Sequence, residues 1–163
     1  MHDAVDRMVA QWGVTAPEMD AGVLHVVGRL LLSAELIQRE IKDALRPLGL
    51  TYADFDVLNT LRRRGDENGT NAGVLTAATL ITSGAMTARL DRLVGAGLVE
   101  RVPDPDDGRS VLIRLTVEGE VIAERALDNV LAVDEDFLAP LSANQRRVLA
   151  RELKRLLAAH YDR

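Results

Sequence analysis

The sequence predicts a mainly α fold with a small β element (α+β): six to seven helices and a two- or three-stranded hairpin. Apolar residues recur every three or four positions through both ends of the chain, which is the helical period. Two alternating stretches flank a Pro/Asp/Gly turn in the middle third, which is the hairpin pattern. Cap-type residues stand where the helices should begin. A length of 163 residues fits one domain with a terminal appendage, at ~100–200 residues per domain.

Taken in order, residues 4–12 place Val5, Met8, Val9 and Trp12 at helical spacing, and Gly13 and Pro17 are expected to end that helix. From Met19 to about Leu45, Val23, Val27, Leu30, Ile37 and Ile41 mark one face of a long amphipathic helix closed by Pro47 and Gly49. Thr51 with Asp54 three positions on is an N-cap signal for a helix through Phe55, Leu58 and Leu61. Residues 65–69 form a polar turn. Asn71 caps a short helix through Leu75 and Ala78, and Thr82 or Ser83 caps the next, whose apolar face is Met86, Leu90, Leu93 and Val94. Strands at 98–102 and 110–115 follow. Thr116 then opens a helix toward Phe137, and Ser142 with Gln145 makes a capping box for the last helix.

Composition narrows the function classes. No stretch approaches the ~18 apolar residues of a membrane span, and Met1-His2-Asp3 is no basic n-region, so a cytoplasmic protein without a membrane partner is expected. The absence of cysteine excludes disulfides, thiolate metal sites and thiol sensing, and the three histidines are too scattered to suggest a metal cluster. No phosphate loop, zinc motif or nucleophile elbow occurs, so neither an enzyme nor a cofactor is expected. The net charge of −5 is uneven: residues 1–59 carry −4, residues 115–163 carry −2, and only 60–114 is positive, at +1. That is compatible with a nucleic-acid contact in the middle third, because local field matters there more than total charge.

Two short helices followed by a hairpin describe a winged helix-turn-helix, which places its second helix in the DNA major groove. On the side of that helix opposite its apolar face lie Ser83, Ala85, Thr87, Ala88 and Arg92, where small side chains let the backbone approach phosphate. Asn71 and Thr82, at the two helix starts, join the candidate duplex-contacting set. Asp107 can pair with Arg109 and stiffen a wing loop whose guanidinium reaches the narrow minor groove. The same two residues also read as decoration of a solvated turn.

The ordered run Ser83-Gly84-Ala85-Met86-Thr87, Arg89-Leu90-Asp91-Arg92-Leu93, Gly97-Leu98-Val99 and Asp104-Pro105-Asp106-Asp107-Gly108-Arg109 closely resembles the MarR family of bacterial transcriptional regulators. The resemblance extends to helix order along nearly the whole chain. It implies a homodimer built from residues 18–48 and 117–163, with a winged helix-turn-helix at 51–116 and an extra N-terminal helix and linker at 1–17. Each subunit would present its winged helix to half of a pseudo-palindromic operator, the two lobes about 34 Å apart. Gly108 departs from the family pattern, which often has a second Arg there, and this would weaken wing contacts to phosphate.

Four residues suggest an effector site. Arg89 borders the inward face of its helix and needs a carboxylate or an anion, for which Asp56 is the expected partner. Arg101 shares a strand face with Val99, and Trp12 is the only tryptophan. Each has a plainer reading: Asp56 as a helix N-terminal charge, Arg101 as a phosphate contact or solvated base, Trp12 as packing. Together Trp12, Asp56, Arg89 and Arg101 resemble the set of the urate-responsive branch of the family. That resemblance implies a small planar anion engaging Trp12 and Arg101, repelling Asp56 and recruiting Arg89 to shift the reading helix. A different phenolic or carboxylate ligand is the alternative within the class. A helical dimerisation module that never meets DNA is the alternative outside it.

Overall fold

A computed structural model describes residues 2–79, 86–107 and 110–161. Among them lie seven α-helices, a short 3-10 turn and one three-stranded antiparallel sheet, as the sequence predicts. The chain divides into two compact units, Met1–Asp43 and Ala44–Arg163.

In the first unit, α1 (Ala4–Thr15) opens on a capping box between Asp3 and Asp6. It runs past Gly13, where the sequence predicts an end, and stops just before Pro17, which cannot continue the backbone ladder. The next helix, α2 (Leu24–Leu45), begins five residues later than predicted. The Asp20 carboxylate accepts the amide of Gly22 at 2.9 Å and holds a turn there instead. Arg29 of α2 donates to Asp3 at 2.8 Å and Asp6 at 2.7 Å, fastening α1 to α2. Both carboxyls are held below the ordinary range: that of Asp3 first by the Asp6 amide, that of Asp6 first by the Arg29 guanidinium. Buried Val5 rests on Gly28, where a Cβ would stand 3.1 Å from a Val5 methyl. Val26, Leu30, Leu31 and Leu36 stay exposed along the helix.

The second unit starts with the 3-10 turn Arg46–Leu48 and α3 (Tyr52–Arg64), whose Thr51–Asp54 capping box forms as predicted. Strand β1 (Thr70–Asn71) precedes α4 (Ala72–Ala78), with Asn71 as N-cap accepting the Gly73 amide. Then come α5 (Met86–Gly95), β2 (Val99–Pro103), β3 (Val111–Leu115), α6 (Val117–Leu138) and α7 (Ala143–Tyr161). The sheet order is β1-β3-β2, with Arg101 opposite Ile113 and Thr70 also opposite Ile113 on the other side. The core gathers Leu58 and Leu61 of α3, Leu75 of α4, Leu90 and Leu93 of α5, Ile113 of β3 and Ala123 of α6.

Two caps seen in the sequence hold the last helices. Thr116 accepts the Gly119 amide at 2.9 Å, and Ser142 exchanges bonds with Gln145. Gly119 is needed for a second reason: a Cβ there would overlap the carbonyl oxygen of Leu98, so only glycine lets α6 start so close to the turn before β2. No described helix is long and apolar enough to cross a membrane.

Candidate functional site

The amphipathic pattern of α5 sets up the site. Met86, Leu90 and Leu93 are buried, while Thr87, Ala88, Asp91 and Arg92 are exposed on the other side. The predicted start of this helix and the contacts assigned to Thr82, Ser83 and Ala85 lie outside the described residues, as does Arg109. Arg63 donates to the carbonyl of Ala78 at 2.9 Å and to buried Thr60 at 3.0 Å, closing the end of α4 on α3. Asn71 is exposed at the start of α4.

The principal polar feature is one carboxylate. Asp54 is only 1% exposed and serves two structures at once. Its Oδ2 accepts the Thr51 amide at 2.7 Å and the Thr51 hydroxyl, as an N-terminal capping partner should. The same carboxylate accepts Nε of Arg92 at 3.3 Å on Oδ1 and Nη2 of Arg92 on Oδ2. Arg89 Nε stands 3.8 Å away, its side chain 19% exposed. A buried carboxylate is tolerable only when its charge is matched and its lone pairs are filled, and here both conditions hold.

This arrangement corrects two expectations. Arg89 meets the carboxylate of Asp54, where the sequence predicts Asp56. Arg92 does not simply project toward a duplex: its side chain is 49% exposed, but its guanidinium is turned onto Asp54 of α3. Sequence reasoning assigned Asp54 only its capping role. The signal it offered was two arginines three apart on one helix, a pair that can reach a common acid.

Asp56 is also buried on α3, beside Tyr52. Burial first, then the charges of Asp56 and Asp134, push the Tyr52 phenol up, and burial raises the Asp134 carboxyl. Arg101 of β2 is exposed and donates to Asp91 of α5 at 2.7 Å, tying strand to helix. Trp12, on α1 in the first unit, is partly exposed.

The wing turn closes on itself. The Asp104 amide donates to the Ser110 carbonyl at 3.1 Å, the Ser110 amide to the Asp107 carbonyl at 2.8 Å, and the Ser110 hydroxyl to the Asp107 carboxylate at 2.9 Å. Asp107 thus shapes the loop through Ser110, and its predicted pairing with Arg109 falls outside the described residues. No group of three or more potential metal ligands occurs among the described residues.

A helix with a small-residue outer face, backed by ion pairs and followed by a folded wing, is equipped to lie against a polyanion. Comparison with known proteins agrees. The MarR family model matches residues 48–110. The HTH-type transcriptional regulator PecS of Dickeya dadantii is 34% identical over 152 residues, covering 93% of this chain and 92% of that protein. Among solved structures, mutant MarR from E. coli complexed with operator DNA is similar at a TM-score of 0.70 and 30% identity, covering 90% of this chain and 97% of that one. A MarR family protein of Mycobacterium tuberculosis in complex with salicylic acid gives a TM-score of 0.60 and 34% identity, covering 80% of this chain and 95% of that one.

Proposed function

This chain belongs to the MarR family of transcriptional regulators, and from that premise we propose that it represses transcription as a homodimer on a pseudo-palindromic duplex operator and is released by urate or a similar small planar anion. It is a transcriptional regulator and not an enzyme, as its relatives are. The observation that carries the duplex-binding reading is the two-sided α5, with Thr87 and Ala88 outward and Met86, Leu90 and Leu93 inward, next to the closed wing turn. The operator complex of the E. coli relative supports it.

The region 51–116 serves as the winged helix-turn-helix, with Asn71, Thr82, Ser83, Ala85, Thr87, Ala88, Asp107 and Arg109 as its duplex-facing set, Arg92 being held on Asp54 instead. Residues 18–48 and 117–163 serve dimerisation. Exposed Val26, Leu31 and Leu36 on α2 and Leu149, Leu156 and Leu157 on α7 support that role, because such apolar surface favours a partner helix. Residues 1–17 are an added helix and linker bearing Trp12.

We propose Trp12, Asp56, Arg89 and Arg101 as the effector-responsive residues, the last three lying within the unit Ala44–Arg163. Both arginines already face carboxylates, Asp54 and Asp91, so an anion would act by exchange rather than by filling an empty cation site. Drawing Arg89 from Asp54 and Arg101 from Asp91 would loosen two ties of α5, to α3 and to β2. The salicylate complex of the mycobacterial relative supports a ring bearing a negative charge as the ligand type.

The lone tryptophan tests this. Urate, with salicylate in parallel, is titrated against intrinsic fluorescence corrected for ligand absorbance. Saturable quenching by at least one of them is expected in the natural chain, shifted to at least tenfold higher ligand concentration in Arg101→Ala. Quenching that is absent, or identical in Arg101→Ala, contradicts the effector site.

A further inference from the structure

We infer that Asp54 is a positioning residue for the reading helix: it withholds Arg92 from the DNA phosphates and fixes the pose of α5, so that sequence preference depends on a carboxylate that never touches the duplex. The inference rests on the duplex-binding reading above and adds a residue to it that neither the family comparison nor the sequence assigns.

The geometry supports this from both ends of the contact. On α3, Asp54 cannot drift, because its Oδ2 is bonded to the amide and the hydroxyl of Thr51, which begins the helix. On α5, Arg92 is gripped through two different nitrogens, Nε and Nη2, a forked contact that fixes direction as well as distance. Arg89 reaches the same carboxylate from one turn earlier, so two points along α5 are referred to one buried atom group. The remaining guanidinium surface is on the exposed side of α5, in line with Thr87, Ala88 and Asp91. Released from Asp54, that side chain is long enough to seek phosphate instead.

Loss of the carboxylate charge therefore has a directional consequence. Asp54→Asn keeps an oxygen for Thr51 while removing the charge that holds both arginines. One more phosphate contact per protomer, two per dimer, steepens the dependence of log Kd on log salt by about 1.8. Freed from its reference point, α5 also discriminates less between a correct and a scrambled duplex. A merely structural carboxylate would weaken all binding and leave the salt slope alone.

The experiment uses a duplex selected by the natural chain from a random library, and a scrambled duplex of the same composition. Affinities are measured from low to moderate salt for the natural chain, Asp54→Asn, Asp54→Glu, and Asp54→Asn combined with Arg92→Ala, with thermal melting of each to establish folding. The expected result is a steeper salt slope and at least a fivefold loss of discrimination in Asp54→Asn, with the slope restored when Arg92→Ala is added. Asp54→Glu, which keeps the charge, should retain most of the discrimination. An Asp54→Asn slope equal to that of the natural chain, or a slope the second substitution does not restore, overturns the inference while leaving duplex binding in place. Failure of the natural chain to enrich any duplex overturns the reading on which it rests.

Discussion

A Gly119→Ala chain is expected to melt roughly 6–12 °C below the natural chain, a loss of about 3 kcal/mol. The direction is informative, because alanine in a helix normally stabilises relative to glycine by roughly 1 kcal/mol. Here the added methyl would overlap the Leu98 carbonyl oxygen, with the Leu98 carbonyl carbon 2.9 Å away. That carbonyl has little freedom to retreat, since it accepts the Thr116 amide at 3.1 Å. The Gly119 amide is itself held by the Thr116 hydroxyl. Relief would have to come from moving the start of α6 away from the β2 turn, uncovering Leu98 and Leu115. Differential scanning calorimetry decides it: a melting temperature equal to or above that of the natural chain would mean that α6 does not seat as described.

Asp54→Ala is expected to cost about 2–4 kcal/mol. Two losses combine in it. The capping oxygens for Thr51 disappear, and Arg89, mostly buried, loses the acid that matches its charge. Arg92 is half exposed and can turn to water, which keeps the figure below that of a fully enclosed pair. Asp54→Asn should cost less than half as much, because its amide oxygen still serves Thr51. Urea unfolding of the three chains separates the contributions. A change below about 1 kcal/mol for the alanine variant would show that solvent already compensates this carboxylate.

The sequence was most informative where chemistry is local. Thr51 with Asp54, Asn71, Thr116, and Ser142 with Gln145 all cap the helices that follow them, because a capping bond is satisfied within three residues and needs no tertiary information. The inward face of α5 was equally legible, since Met86, Leu90 and Leu93 keep helical spacing. Strand β1 was not, because Thr70-Asn71 is too short to show a period and exists only through pairing with Leu112 and Ile113. The candidate site was legible in its residue types but not in its pairings. Asp54 and Asp56 are two positions apart on α3, and local pattern cannot say which of them meets an arginine more than thirty residues away; the crossing of α5 on α3 decides for Asp54. Arg101 was placed with Val99 by strand alternation, yet its partner Asp91 lies on a different element, beyond the reach of periodicity.

The central claim is that an anion and a duplex compete for the position of α5. Fluorescence anisotropy of a labelled duplex, selected by the natural chain and held at fixed protein concentration, measures this when urate is added. Graded release is expected, with the apparent Kd for duplex rising by roughly 5–150-fold at saturating urate, the range of a coupling of ~1–3 kcal/mol. Arg89→Ala should bind the duplex and ignore the anion. A complex unmoved by urate at concentrations that saturate the tryptophan signal, or equal release from Arg89→Ala, would contradict the account.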